Sequence, residues 1–111
     1  MKITSLIIGV CLCFVFSTAL GADQQGEAIF KSKGCAFCHK QGGPSSGSIP
    51  SLSELAKAYN GRKAQLIQYF KGNADPIIRP ERAISMKRPL IKTKALSDAG
   101  RSALADYILN R

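Results

Sequence analysis

Cys35-Ala36-Phe37-Cys38-His39 places an imidazole beside the second of two closely spaced thiols. This CxxCH spacing is the pattern by which haem is bonded to protein: each thiol can form a thioether to one of the two haem vinyl groups, and the histidine next to the second can reach the iron. The same residue types admit two other chemistries. The thiols could close a redox disulfide of the thioredoxin kind, which normally opens a helix in a βαβ unit, and no such unit is visible in the sequence. They could also join a structural zinc site, which wants four ligands, but His39 is the only histidine and the other cysteines, Cys11 and Cys13, lie far upstream. Covalent haem is the reading these residues favour.

Four cysteines in a short exported chain would ordinarily suggest a pair of disulfides. The N-terminus argues otherwise. Met1 and Lys2 precede an apolar run from Ile3 to Phe16, followed by the small-residue stretch Ser17-Thr18-Ala19-Leu20-Gly21-Ala22. This is the pattern of a signal peptide, residues 1–21, with cleavage after Gly21 or Ala22. Removing it discards Cys11 and Cys13 and leaves one domain, residues 22–111, in the periplasm. Val10 stands before Cys11 where a lipoprotein anchor would want a small residue, and a retained membrane tether is the alternative fate of the segment. So small a domain has a marginal core of its own, and a covalently held flat apolar group would compensate for that.

The elements that must position the motif read as helices. Gly26, Ile29, Phe30 and Lys33 share one helical face, so Asp23 to Lys33 is expected to be helical and to close at Gly34. Residues 41–49, rich in Gly and Ser, are loop. Leu52, Leu55, Ala56 and Tyr59 mark a second helix stopped by Asn60-Gly61, and Leu66, Ile67 and Phe70 mark a third from Arg62 to Lys71. Ser97 caps a last helix reaching Asn110, with Leu96, Ala99, Ala103, Leu104, Tyr107 and Ile108 inward and Asp98, Arg101, Ser102 and Asp106 outward. The fold class is all-α.

Residues 72–95 form the exception, because Pro76, Pro80 and Pro89 interrupt them and a long irregular segment in a small domain is often functional. Only Pro80 to Ile84 is expected to make a helical turn there, with the proline at its first position. The segment holds Met86, the sole methionine besides the initiator. A lone methionine commonly fills a gap in a core. A histidine-bound haem iron, however, needs a sixth ligand, and a thioether is the usual one. Met86 is therefore read as the axial partner of His39, with Lys87, Lys92 and Lys94 as fallbacks and a water-filled or empty sixth site as the other alternative.

On these residues the chain resembles the class I cytochromes c, in particular the small periplasmic monohaem carriers of bacteria. Gly26-Glu27-Ala28-Ile29-Phe30 is similar to the family's first helix, and Leu96-Ser97-Asp98 with Ala105-Asp106-Tyr107-Ile108-Leu109 resembles its closing helix. The resemblance implies a cytochrome c fold of four to five short helices around one haem c bonded to Cys35 and Cys38. It also implies that Pro50, in Pro50-Ser51-Leu52, offers its carbonyl to His39. Two departures stand out. Ile49 replaces the glycine common before that proline, leaving Gly43-Pro44 as a weaker candidate, and Met86-Lys87-Arg88-Pro89 delays the proline that often follows the methionine, as in a subgroup with a longer loop.

An iron held by His39 and Met86 has no open position for a substrate, so the expected role is one-electron transport between respiratory complexes and not catalysis. The alternative is a haem sensor or the cytochrome subunit of a larger redox enzyme. Formal net charge is +9, one less without Lys2. Arg79, Arg82, Lys87, Arg88, Lys92 and Lys94, set against Glu81 alone, predict a basic rim that steers a monomer to an acidic surface on a terminal oxidase or reductase. Export disfavours nucleic acid as a partner.

Overall fold

Gly26 sets the closest approach in the fold. A Cβ there would collide with the carbonyl oxygen of Ala103 and lie 2.6 Å from Tyr107 Cβ, so only glycine lets the first helix cross the last backbone to backbone. The computed structural model describes residues 17–111, with side chains from Asp23 onward. Most of the segment read as a signal peptide therefore lies outside the described residues. Within them run five α-helices, α1 (Ser17–Ser32), α2 (Leu52–Ala58), α3 (Lys63–Phe70), α4 (Ala83–Lys94) and α5 (Asp98–Leu109), and no strand. The all-α expectation holds.

Local chemistry explains most boundaries. The Ser51 hydroxyl accepts from Glu54 N at 3.2 Å and the Ser97 hydroxyl from Gly100 N at 3.0 Å, each satisfying a donor that a helix N-terminus leaves unpaired. Gly34, at φ 77°, ends the run that α1 begins and turns the chain into the CxxCH motif. α1 starts upstream of the expected Asp23, while α2, α3 and α5 fall within a residue or so of their expected limits.

α5 is the central strut. It packs on α1, α2 and α3, and Phe30, Leu52, Tyr59, Leu66, Leu104 and Tyr107 are nearly completely buried between them. The Phe30 and Tyr107 rings meet at a tilt, centroids 5.5 Å apart, a geometry that adds about 1 kcal/mol to the area they bury.

Two expectations are corrected. Residues 85–94, read as irregular, belong to α4 with Pro89 inside it, and the turn expected from Pro80 leads into that helix. A proline there removes one ladder bond and costs about 3 kcal/mol in an isolated helix, yet tertiary contacts outweigh it. Ala83, Met86, Leu90 and Thr93 all turn inward, and the Thr93 hydroxyl donates to Phe70 O at 2.8 Å. Arg101, placed outward by its polarity, is buried at 8% exposure because its guanidinium finds carbonyl acceptors beneath the surface.

Candidate functional site

Cys35 opens a short helical turn, and Cys38 and His39 follow directly from its end. The turn Cys35–Phe37 is 3₁₀, and Cys38 N and His39 N both donate to Cys35 O, at 3.2 and 3.0 Å. Residues spaced i, i+3 and i+4 on such a turn share a face, so both thiols and the imidazole line a single cleft while Phe37, at 91% exposure, points away. Among the described residues neither thiol has a disulfide partner. Burial pushes the Cys35 thiol above its ordinary value, which keeps it protonated and argues against a standing thiolate nucleophile.

His39 Nδ1 donates to the carbonyl oxygen of Pro50 at 2.8 Å. A carbonyl only accepts, so the proton belongs on Nδ1, and in the neutral ring Nε2 is left with its lone pair. Residues 41–50 hold that carbonyl in place through several bonds. The Ser51 hydroxyl donates to Gly43 O at 2.8 Å, Ser45 N donates to a Glu54 carboxylate oxygen at 3.0 Å, and Leu52 N donates to Lys40 O at 2.7 Å. Ile49, which stands where glycine was expected, pairs with Ser46 in both directions. The carbonyl that meets His39 is thus that of Pro50 and not of Gly43 or Pro44.

Met86 reaches the same cleft from α4. The cleft is an open-mouthed cavity of about 230 Å³, and its walls carry Leu52, Leu66, Phe70, Leu90, Leu104 and Ile108. Protein interiors are close-packed, and an apolar hollow of that size is a ligand's space. Lys33, Arg79, Arg82 and Lys92 also line it, and no carboxylate does. Of the fallback ligands, Lys87 and Lys94 line a different hollow, and Lys92 Nζ donates to Lys33 O at 3.2 Å. Among the described residues no group of three or more His, Cys, Asp or Glu could hold a metal ion, so the zinc reading gains no support.

A family model described as Cytochrome c matches residues 24–111. The chain belongs to the cytochrome c family. No curated protein matches it. Cytochromes c bind covalently attached haem c and carry electrons, and the cleft of this cytochrome fits such a group on its own chemistry. Free thiols lie on the histidine's face of the turn, the walls are apolar and the lining charges are cationic, which suits a flat apolar ring bearing carboxylates.

Sequence reasoning misses two contributors to the site of this cytochrome, and the loop contact of a third, Arg79, which it places on the basic rim. Tyr59 and Tyr69 were read as plain core or not singled out, yet both line the cleft. Tyr59 also accepts from Ile77 N at 3.3 Å, tying residues 72–79 to α2. Arg79 takes a left-handed conformation, φ 53°, and donates to the Ser45 hydroxyl at 3.3 Å. Nothing short of the fold connects a residue at 79 to the loop at 45.

Proposed function

We propose that this cytochrome is a monomeric one-electron carrier, exported to the periplasm by residues 1–21, in which His39 and Met86 are the axial ligands of the iron and Cys35 and Cys38 the thioether anchors. The observation that carries the reading is that His39 and Met86 line one cleft, in a chain with no other histidine and no other methionine past the initiator. Haem c supplies an iron that cycles between ferrous and ferric states. The residues do the rest. The Pro50 carbonyl fixes the tautomer and aim of His39. The Met86 thioether favours the ferrous state over what a nitrogen ligand would give, and the apolar walls keep water from the centre. No helix among the described residues is long and apolar enough to cross a membrane.

Absorption spectra of the purified protein, oxidised, reduced, and reduced under carbon monoxide, test this directly. Low-spin spectra in both states and inertness to carbon monoxide are expected; a carbon monoxide adduct would refute closed coordination. The subunit reading has one observation in its favour: Ile84 and Ile91 are exposed two turns apart on α4, a start for a permanent interface. Co-purification of a second polypeptide in stoichiometric amount would favour it.

A further inference from the structure

Arg101 costs the fold more than an apolar residue would in its place. Its side chain is 9% exposed, its Nε has no partner among the described residues, and burying a guanidinium with an unmet donor is unfavourable. Its bonds are divided between the end of α4, the turn that follows it and its own helix. Nη1 donates to Thr93 O at 3.3 Å, to Lys94 O at 3.0 Å and to Leu96 O, while Nη2 donates to Asp98 at 2.6 Å. The first two are carbonyls in the last turn of α4, where Thr93 O also accepts from Leu96 N at 3.2 Å and intrahelical partners run out. Thr93 itself is fastened from the other side, its hydroxyl donating to Phe70 O.

The end of α4 is therefore held by α5 and α3 together. Thr93 and Met86 are seven positions apart, which on an α-helix is close to two whole turns, so the two side chains share a face. Fixing the rotation of α4 at Thr93 fixes the direction of Met86. A slip of one residue would turn the thioether by about 100°, out of the cleft. Pro89, lying between them without an N–H, weakens the ladder midway, and this makes an anchor beyond it necessary.

We propose that Arg101 is a positioning residue for Met86: it clamps the end of α4 at Thr93 and Lys94 and so sets the rotation that presents the thioether to the iron. This rests on the reading of Met86 as an axial ligand. The test uses the haem-loaded full chain and the absorption band that ferric haem shows only when methionine is bound. Arg101→Gln should keep its helical circular dichroism but lose part of that band, and its ferrous form should bind carbon monoxide about tenfold more readily, the weight of one charged hydrogen bond. Thr93→Val, which removes the second fastening while keeping the shape, should move both readouts the same way, and it decides the matter if Arg101→Gln does not fold. Arg111→Ala, which loses contacts to Asp23 and Tyr107 but none to α4, should move neither. An unaltered band and unaltered carbon monoxide binding in a folded Arg101→Gln or Thr93→Val protein would overturn the clamp alone. Absence of the band from the unmodified protein would overturn the methionine reading and the clamp with it.

Discussion

The ring nitrogen of His39 and the carbonyl of Pro50, joined at 2.8 Å, connect the attachment turn to the start of α2. The bond gives the imidazole more electron density than a free histidine has, and a richer donor stabilises ferric iron. Pro50→Ala keeps the carbonyl but frees the backbone that aims it. Its reduction potential should rise, by less than about 60 mV, which is a factor of ten for one electron. Redox titration measures it, and a lowered potential would contradict the account.

If Cys35 and Cys38 are the haem anchors, removing both removes the core. With Cys35→Ala and Cys38→Ala the cleft loses its covalent filling, and apolar walls around a hollow of that size cannot stay apart. The double variant should lose most of its helical circular dichroism and its cooperative melt; native-like retention of both would show that the helices do not depend on haem.

At Gly26 an added methyl has nowhere to go, with Ala103 O and Tyr107 Cβ already in contact range. Gly26→Ala should cost about 1–3 kcal/mol through overpacking, despite the better helix propensity of alanine. A denaturant midpoint equal to or above that of the parent would mean that α1 and α5 can separate freely.

Tyr69 gives the protein an alkaline limit. Burial pushes its phenol from 10.0 up to about 12. Below the lower value the phenol is neutral in folded and unfolded chains alike, and between the two the unfolded chain ionises first, so stability falls as pH rises through this window. Tyr69→Phe should flatten that part of the stability profile, and chemical denaturation across the window reads it. An equal slope in both proteins would assign the loss to other groups.

The basic rim divides into two sets. Arg79, Arg82 and Lys92 line the cleft, whereas Lys87, Arg88 and Lys94 do not. If acidic partners dock at the cleft, Lys92→Glu should slow electron transfer to such a partner and reduce its salt dependence more than Arg88→Glu does. Stopped-flow rates over a series of ionic strengths compare them; equal effects would indicate attraction by net charge alone.

Where the sequence was legible, local rules and burial agreed. The apolar stripes of α2, α3 and α5 coincide with serine caps or glycine stops, and the CxxCH spacing needs only one turn to bring its ligands together. α4 was hidden because a local rule and a periodic one conflicted. Pro89 signals a break, while Ala83, Met86, Leu90 and Thr93 recur at helical spacing and carry the opposite message, to which packing gives the greater weight. Arg101 was misplaced for a related reason. Polarity predicts exposure only when no buried acceptors exist, and its acceptors come from the end of a helix that had not been recognised. The bond between Arg79 and Ser45 depends on three-dimensional closure and has no sequence signature.

The placement of α5 has a consequence for the order of assembly. Leu104 and Ile108 supply part of the cleft wall, and α1 finds its main partner in the same helix, so the core closes only through contacts between the two ends of the described chain. Such distant contacts carry the loop-closure cost of the whole chain between them. The turn bearing Cys35, Cys38 and His39 needs only its own neighbours. Docking of α5 is thus the step that encloses the grouped thiols, since Leu104 and Ile108 belong to the wall around them.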